Sequence, residues 1–235
     1  MKNNRISVVL PTFGRDELFK NALHSILNQE NSNWELIIIN DGNVNVKQYI
    51  PLRKNIIYIK NASHMGAAAS RNIGIRASSN DFIAYIDDDD EWLPNHLTLS
   101  SDLLNDYDFI YSGTQLRKRN EIIQWYNEDF SYRKLAERNI ITTPSVIHKK
   151  KLLNASGFWD ERLKCLQDWD MWCRMLLKTD RIYHREDVTV IINSTDYSIT
   201  TLSANTKLRK RTTAYIKYHY YFPLLWKHLR KGRSG

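Results

Sequence analysis

The sequence has few cysteines, few glycines and prolines, and no long apolar run. Its 235 residues include two cysteines, Cys165 and Cys173, eight glycines and five prolines. Two cysteines eight positions apart in one helical pattern suit neither a disulfide framework nor a zinc knuckle, so we expect reduced thiols. The small share of glycine and proline disfavours a long flexible linker.

Hydrophobic stretches are also short. No apolar run is long enough to cross a bilayer. The run before Pro11 has five residues, which is too short for the core of a signal peptide. We therefore expect a cytoplasmic protein, or one that lies on the inner face of a membrane.

The basic charge is confined to one end of the chain. The net charge is +8, and residues 207–235 hold nine Lys and Arg residues without any Asp or Glu. The remaining residues have 25 basic and 26 acidic side chains, a balance of −1. A body without excess positive charge disfavours a nucleic-acid-binding protein, although the basic and aromatic tail leaves that alternative open.

The hydrophobic pattern predicts an α/β fold. Over the first hundred residues, short β-branched runs alternate with helical patterns, as in parallel strands joined by right-handed crossovers. We predict strands at 6–11, 35–40, 55–60 and 81–86, with helices at 17–29 and 67–78. Further elements follow: a strand at 108–113, a hairpin-like stretch to Trp125, helices near 130–138 and 167–178, strands at 181–184 and 188–193, and a helical tail from 203.

Polar segments follow three of the predicted strands. These segments are 11–15, 41–43 and 87–90. In open α/β sheets, ligands bind at the carboxyl ends of the strands. We therefore expect the three segments to converge on one crevice.

Four consecutive carboxylates, Asp87 to Asp90, follow the buried strand at 81–86. Adjacent carboxylates raise each other's pKa unless a cation or strong donors neutralise them. Mg²⁺ and Mn²⁺ prefer hard oxygen ligands and take one or two carboxylates together with substrate phosphates. A solvated acidic turn that caps a helix near Pro94 explains the run equally well.

Five segments, in order, resemble motifs of the family 2 glycosyltransferases, which have the GT-A fold. The resemblance covers Ser7 to about Arg174, with weaker similarity to Thr200. Its segments are SVVLPTFGR, ELIIINDGN, HMGAAASRNIGIRAS, FIAYIDDDDEW and GFWDERLKCLQDWDMWCR.

The resemblance implies a Rossmann-like mixed sheet flanked by helices. It further implies one GT-A catalytic domain at 1–202, with a nucleotide-sugar-binding half at 1–110 and an acceptor half at 111–202. Residues 203–235 then form a basic, aromatic helical extension. The implied activity is an inverting hexosyl transfer from a nucleotide diphosphate donor, most simply a UDP-sugar. The implied acceptor is a saccharide or lipid-linked saccharide of bacterial surface-polysaccharide synthesis.

The resemblance also assigns the nucleoside pocket. Backbone groups of Pro11 and Thr12, with the side chains of Phe13 and Arg15, would line it. Asp41 would accept a hydrogen bond from the base, which suits the N3 proton of uracil. The residues alone favour a solvated helix position for Arg15 and a turn or cap role, with Gly42, for Asp41.

The remaining donor-site residues are Arg71 and the acidic run. Arg71 would approach the base or diphosphate, although the residues alone favour a solvated helix surface. Asp87 would face the ribose and the metal, and Asp88 belongs to the nucleotide-sugar site. Asp89 would bind Mn²⁺ or Mg²⁺ directly.

Asp168 is the expected catalytic base, because transfer to a sugar hydroxyl needs a carboxylate within reach of the acceptor oxygen. The alternative is that QDWDMWCRML is a buried helix with Asp168 and Asp170 on its polar side. Trp92, Trp169 or Trp172 could stack on a sugar ring.

The sequence departs from the family pattern at Asn40, His64 and Gln167, where Asp, Asn and an acidic residue are usual. Asn40 and His64 can still form hydrogen bonds to a ribose or a loop. In TDYSIT at 195–200, Thr195 occupies the expected place of a metal- or diphosphate-binding His. That contact is then missing or comes from His184, His148 or a basic tail residue.

The tail has two interpretations, and the glycosyl transfer has two alternatives. Cations interleaved with aromatic residues at 207–235 fit an interfacial helix at an anionic membrane, and they fit an ordinary helix that packs its aromatic side on the body. Because Gln167 replaces an acid, a non-catalytic sugar-nucleotide-binding scaffold stays open. A nucleotidyltransferase also stays open, although PTFGRDE lacks the glycine-rich basic loop that grips a triphosphate.

Overall fold

A computed structural model describes residues 4–119, 121–194 and 205–231. The first half contains four parallel strands in the order β3-β2-β1-β4. Their bounds are β1 (Ile6–Thr12), β2 (Trp34–Asn40), β3 (Ile56–Lys60) and β4 (Phe82–Tyr85). Helix α1 (Asp16–Leu27) connects β1 to β2, and α2 (Ala67–Ala77) connects β3 to β4. A 3₁₀ helix at Val46–Tyr49 precedes β3.

In the part of the chain that the structure describes, the second half adds five strands and five helices. The strands are β5 (Asp90–Trp92), β6 (Phe109–Lys118), β7 (Glu121–Tyr126), β8 (Val146–Lys149) and β9 (Ile182–Asn193). The helices are α3 (His96–Ser101), α4 (Tyr132–Glu137), α5 (Leu152–Ser156), α6 (Gln167–Leu176) and α7 (Thr206–Lys231), with a 3₁₀ turn at Thr143–Ser145.

All the strands belong to one mixed sheet in the order β3-β2-β1-β4-β8-β6-β9-β5, with β7 paired to β6. Strand β8 lies antiparallel between β4 and β6, so β6 runs in the same direction as β4. Strand β9 is parallel to β6. The carboxyl ends of β1, β2, β4, β6 and β9 therefore lie at the same edge of the sheet.

Helices cover both faces of the sheet, and each face has its own apolar core. On one face, Phe19 of α1 and Leu97 of α3 pack on alternate residues of the strands, such as Leu10. On the other face, α2 and α4 to α7 pack around large aromatic residues such as Tyr85 and Trp172. Strands β1 and β2 are buried along their whole length because both faces are covered.

The α/β prediction is confirmed, and the first four strands and two helices end within two residues of their expected bounds. Two details differ. The separate strands expected at 181–184 and 188–193 are one strand, β9, in which a bulge at Glu186 and Asp187 takes up the polar residues. Strands β5 and β8 were not predicted, because three or four residues are too few to show a period.

Helix α7 confirms the helical tail. Among the described residues, no helix combines the length and the apolar character needed to span a membrane.

Candidate functional site

The loop after β1 is tied to the acidic run after β4. The Thr12 hydroxyl donates a 2.7 Å hydrogen bond to Asp88, and the backbone N–H of Phe13 donates to the same carboxylate at 3.1 Å. Arg15 forms ion pairs with Asp88 and, at 2.7 Å, with Asp89. The N–H of Asp41 also donates to the carbonyl of Thr12 at 2.8 Å, so the structure brings together all three segments expected at the crevice, and Arg15 is a partner of the acidic run.

Arg71 is buried, and it is not a solvated helix residue. It lies in α2 with 5% of its surface exposed, and its guanidinium lies 4.6 Å from the ring centre of Trp159. One nitrogen donates to Asp87 at 2.6 Å, while Nε has no hydrogen-bond partner in the part of the chain that the structure describes. A fixed positive charge therefore lies beside the first carboxylate of the run.

Asp41, after β2, is bound by the loop that precedes α2. One oxygen accepts hydrogen bonds from Asn61 and the N–H of Met65, and the other accepts from the N–H of Gly66, all at 2.8 Å. His64 contacts the second oxygen at 2.8 Å. Burial alone would raise the pKa of Asp41, but these donors outweigh it and hold the pKa below its usual value. Asp41 is therefore ionised and orders the loop.

Two exposed rings lie beside Asp41. Phe13 has 56% of its surface exposed, and its ring meets that of His64 edge to face at 4.7 Å. The side chain of His64 is 65% exposed. These rings form an open aromatic surface at the carboxyl edge, of a kind on which a planar base can stack.

The departure at Asn40 has a structural reason. This fully buried side chain donates to the carbonyl of Val44 at 2.8 Å and to the Tyr58 hydroxyl at 3.0 Å, and it accepts from the N–H of Gly42 at 2.9 Å. An amide both donates and accepts, whereas a carboxylate only accepts. Asn40 therefore holds the loop after β2, one of the two roles expected for it.

The acidic run is not a solvated turn. Asp88 and Asp90 are 2% and 5% exposed. Burial, together with the charges of Asp87 and Asp88, raises the pKa of Asp89 even though Arg15 opposes this. Burial and the three preceding carboxylates raise the pKa of Asp90 well above its usual value. Arg15 and Arg71 bring two positive charges to four carboxylates, so the cluster keeps an excess of negative charge.

The donor set at this cluster fits Mg²⁺ or Mn²⁺. The side chains of Asp87 and Asp89 are 30% and 16% exposed, so each presents carboxylate oxygen at the surface of the cluster. Within 4–119, 121–194 and 205–231, no group of three or more His, Cys, Asp or Glu side chains is placed to hold a metal by itself. Mg²⁺ and Mn²⁺ usually take one or two protein carboxylates, with phosphate and water completing the shell.

Asp168 lies in the first turn of α6, at the same edge of the sheet. Its carboxylate accepts hydrogen bonds from Asn139 at 2.7 Å and from the N–H of Trp169 at 2.9 Å. Burial raises the pKa of Asp168 above its usual value; the charge of Arg71 lowers it and that of Asp87 raises it. The ring of Trp159, which lies under Arg71, meets that of Trp172 at 5.4 Å, so the helix that carries Asp168 packs next to the Arg71–Asp87 pair.

The tryptophans proposed to stack on a sugar are core residues, so that expectation was wrong. Trp92, Trp169 and Trp172 are each at most 3% exposed. Their indole N–H groups donate to backbone carbonyls of Pro144, Leu135 and Ile141 at 2.8, 2.7 and 3.2 Å. The alternative reading of QDWDMWCRML, a buried helix face, is correct for its tryptophans.

A second connection between the two halves was not predicted. Asn72 of α2 donates to the carbonyl of Trp159 and to Glu161, at 3.0 and 2.7 Å, and accepts from the N–H of Trp159 at 3.0 Å. The segments HMGAAASRNIGIRAS and GFWDER contain these residues, but no pattern within either shows that they meet.

The two histidines suggested for a third metal or diphosphate contact are engaged elsewhere. His148 is fully buried and bonded to Tyr85 at 2.8 Å, and burial lowers its pKa to about 4. His184 lies between Asn127 and Asp129, at 2.8 and 3.0 Å. Thr195 and the loop at 195–200 lie outside the described residues.

Comparison with known proteins shows to which family this chain is similar. The model of "Glycosyl transferase family 2" matches residues 7–160. The putative colanic acid biosynthesis glycosyl transferase WcaA of Escherichia coli K12 is 31% identical over 208 residues, covering 82% of this chain and 74% of that protein.

Two solved structures share the fold. Staphylococcus aureus TarS 1-349 in complex with UDP-GlcNAc has a TM-score of 0.68 at 17% identity, over 82% of this chain and 59% of that one. The mannosyltransferase PcManGT of Pyrobaculum calidifontis in complex with GDP-Man and Mn²⁺ has a TM-score of 0.60 at 17% identity, over 81% and 56%. This chain thus spans less than two thirds of either solved chain, and the likeness confirms the expected fold class.

Proposed function

The chain belongs to glycosyltransferase family 2 and has its GT-A fold, and on that premise we propose that it moves a sugar from a nucleotide diphosphate to a saccharide hydroxyl with inversion. One observation carries the proposal. Arg71 pairs with Asp87 at 2.6 Å and lies over the ring of Trp159, and that ring meets Trp172 of α6, the helix whose first turn carries Asp168. This packing supports a candidate base next to a candidate diphosphate site, as a transfer between two bound sugars requires.

The donor is proposed to be a UDP-sugar. Backbone groups of Pro11 and Thr12, the exposed ring of Phe13 and the guanidinium of Arg15 would line the nucleoside pocket. Asp41 would keep its loop in place and receive the base N3–H on its second oxygen, in place of the exposed His64. Support comes from the ionised state of Asp41 and from the UDP-GlcNAc complex of TarS.

Asp87, Asp88 and Asp89 would hold the diphosphate end of the donor through Mn²⁺ or Mg²⁺, with Asp89 as a direct ligand. A divalent ion, as in the Mn²⁺ complex of PcManGT, would act as a Lewis acid that stabilises the leaving diphosphate. Arg15 and Arg71 already pair with these carboxylates. They would add positive charge where the leaving group becomes more negative.

Asp168 is the proposed base. As the acceptor oxygen forms its bond to the anomeric carbon, the bond from that carbon to the diphosphate oxygen breaks, and Asp168 takes the hydroxyl proton. Asn139 would hold the carboxylate in position through its 2.7 Å hydrogen bond. Attack from the face opposite the leaving group in a single displacement inverts the anomeric centre.

We assign donor binding to residues 1–110 and acceptor binding to 111–202, followed by a basic helical extension at 203–235. The acceptor is proposed to be a saccharide or lipid-linked saccharide of surface-polysaccharide synthesis, made at the inner face of the membrane. The name of the related WcaA supports a biosynthetic role of this kind. The family assignment favours this function over the nucleotidyltransferase and nucleic-acid-binding alternatives.

Calorimetric titration of UDP in the presence of Mn²⁺ tests the donor site. We expect binding that disappears with EDTA and with Asp89→Ala. The control is Asp102→Ala, which removes an exposed carboxylate at the end of α3 and should bind UDP like the wild type. Silence with UDP, GDP and TDP alike would refute the proposed site.

A further inference from the structure

Helix α7 is attached to the body along one side. Thr212, Ile216 and Leu224 are buried, and the Tyr220 hydroxyl donates to Asp170 at 3.0 Å. Lys227 donates at 2.9 Å to the backbone carbonyls of Leu176, the last residue of α6, and of Thr179. The tail is therefore a packed helix, as one of the two interpretations from sequence expected.

The opposite side of α7 carries a second apolar surface. Tyr218, Phe222, Trp226 and Leu229 are 83%, 76%, 59% and 60% exposed. Spacings of four, four and three residues place them along one face of a helix. We call these four residues the outer stripe. A run of large apolar side chains in water is unfavourable unless a partner covers it.

Positive charge lies near both ends of the outer stripe. Arg211, seven positions before Tyr218 and so on the same face, is exposed toward its beginning, and no acid occurs within residues 207–235. At its end, an open cavity of about 650 Å³ between α6 and α7 is lined by four cations, one carboxylate and the ring of Trp226. The cations are Lys178, Lys227, Arg230 and Lys231, and the carboxylate is Asp180.

The cavity keeps an excess of positive charge. Asp180 pairs with Lys227 at 3.1 Å and Lys231 at 3.3 Å, and no other acid lines the cavity within the described ranges. Burial lowers the pKa of Lys227, and the nearby Lys231 and Lys178 lower it further although Asp180 opposes this. An anionic group at this position would relieve that repulsion.

We propose that the outer stripe of α7 and its flanking cations form the contact surface for an anionic lipid bilayer, with lipid phosphates at the basic cavity. Exposed aromatic residues next to cations suit the boundary between headgroups and acyl chains, where rings enter the apolar layer and cations meet phosphate. Because residues 207–235 contain cations and no acids, a negatively charged membrane surface attracts this helix, whereas a neutral surface does not.

The direction of α7 relates this surface to the active site. Three hydrogen bonds join this region to α7: Cys165 to Thr212, Tyr220 to Asp170 and Lys227 to Leu176. Because the residue numbers increase on both sides from one bond to the next, α6 and α7 run side by side in the same direction. Packed helices lie about 10 Å apart. With the outer stripe on the bilayer, the half-width of α7 and one spacing between helix axes would place Asp168 roughly 15 Å above it. At this height Asp168 would face the saccharide of a lipid-linked acceptor, a statement that rests on the proposed function.

Co-sedimentation with vesicles tests the surface. We expect the wild type to pellet with an equal mixture of phosphatidylcholine and phosphatidylglycerol, and much less with phosphatidylcholine alone. The double variant Phe222→Ser, Trp226→Ser should lose roughly tenfold in partitioning. The matched control is Trp125→Ser, which removes a tryptophan that is 55% exposed on β7 and should pellet like the wild type.

Several outcomes would overturn the proposal. These are equal pelleting of the double variant and the wild type, no pelleting with the anionic vesicles, or a dimer that depends on Trp226 and forms instead of the vesicle complex. Tyr218→Ser, at an 83% exposed position, checks the result if the double variant does not fold. UDP titration of each variant is independent of vesicles, so failure of the membrane surface and failure of the donor site can be told apart.

Discussion

The guanidinium of Arg71 donates to the carboxylate of Asp87 at 2.6 Å while lying over the indole ring of Trp159. Arg71 comes from α2 and Trp159 from the loop between α5 and α6, so the pair joins the two halves of the crevice. The guanidinium group is planar, so it can stack on a ring and donate hydrogen bonds at the same time, which an ammonium group cannot do.

Arg71→Lys should therefore weaken UDP binding in the presence of Mn²⁺ by roughly tenfold, or about 1.4 kcal/mol. Arg76→Lys is the matched control, because Arg76 lies in the same helix over the ring of Phe158, at 5.1 Å, without a carboxylate partner among the described contacts. Calorimetry on both variants decides the matter, and equal affinities would contradict the role of the Asp87 pair.

Asp168→Asn should abolish turnover while leaving UDP binding intact. Loss of a general base lowers the rate roughly a hundred- to ten-thousand-fold. The measurement is product formation from a UDP-sugar in the presence of a saccharide acceptor. A wild-type protein that binds UDP but forms no product with any donor or acceptor pair would instead support the non-catalytic scaffold.

The raised pKa of Asp168 sets the direction of the pH dependence. Protonation removes the base, so kcat/KM should fall as pH decreases through a pKa above the usual Asp value of about 3.9. The folded state binds this proton more tightly than the unfolded chain does. The resulting stabilisation is present at low pH and lost as pH rises through the folded-state pKa.

At neutral pH, Asp168→Asn should therefore melt at or above the temperature of the wild type, with a difference that shrinks in acid. Its single amide oxygen can still accept from Asn139, while the N–H of Trp169 loses its acceptor, which offsets part of this gain. A variant that melts well below the wild type at pH 7 would show that the carboxylate serves stability and not catalysis.

Asn40→Asp, which restores the usual family residue, should destabilise this protein by about 1–3 kcal/mol, because the carbonyl of Val44 would lose its buried donor. Asn45→Asp is the control, since Asn45 only accepts, from the N–H of Lys47, and aspartate does this equally well. Urea denaturation measures both variants. Equal midpoints would refute the explanation given for Asn40.

Asp180→Asn should strengthen binding to anionic vesicles by about fivefold, since one charge near such a surface contributes about 1 kcal/mol. The pKa of Asp180 is lowered to about 2; burial opposes this, but hydrogen bonds from Tyr132 and Lys227 outweigh it. The carboxylate is thus ionised at neutral pH and cancels one cation of the cavity. Asp187→Asn, at an exposed acid on β9, should leave vesicle binding unchanged.

The sequence predicted the crevice better than it predicted the contacts within it. Runs such as ELIIIN show their burial directly, and polar residues after each run show where the strands end. The sequence pattern carries no such signal for the burial of a charged residue. The pattern around Arg71 therefore favours a solvated side chain, although the residue is buried. Trp92 and Trp169 were similarly ambiguous, because a tryptophan in a polar segment fits a core and a sugar-binding surface alike.

The hydrogen bonds of Asn72 have a consequence for exchange of segments between related enzymes. Asn72 is 1% exposed, and its amide is matched to the backbone of Trp159 and the carboxylate of Glu161. A chimera that takes the donor-binding segment from one relative and the acceptor-binding segment from another would bury this amide against an unmatched loop. New pairings of donor and acceptor specificity by recombination should therefore survive mainly when Asn72 and residues 159–161 are inherited together.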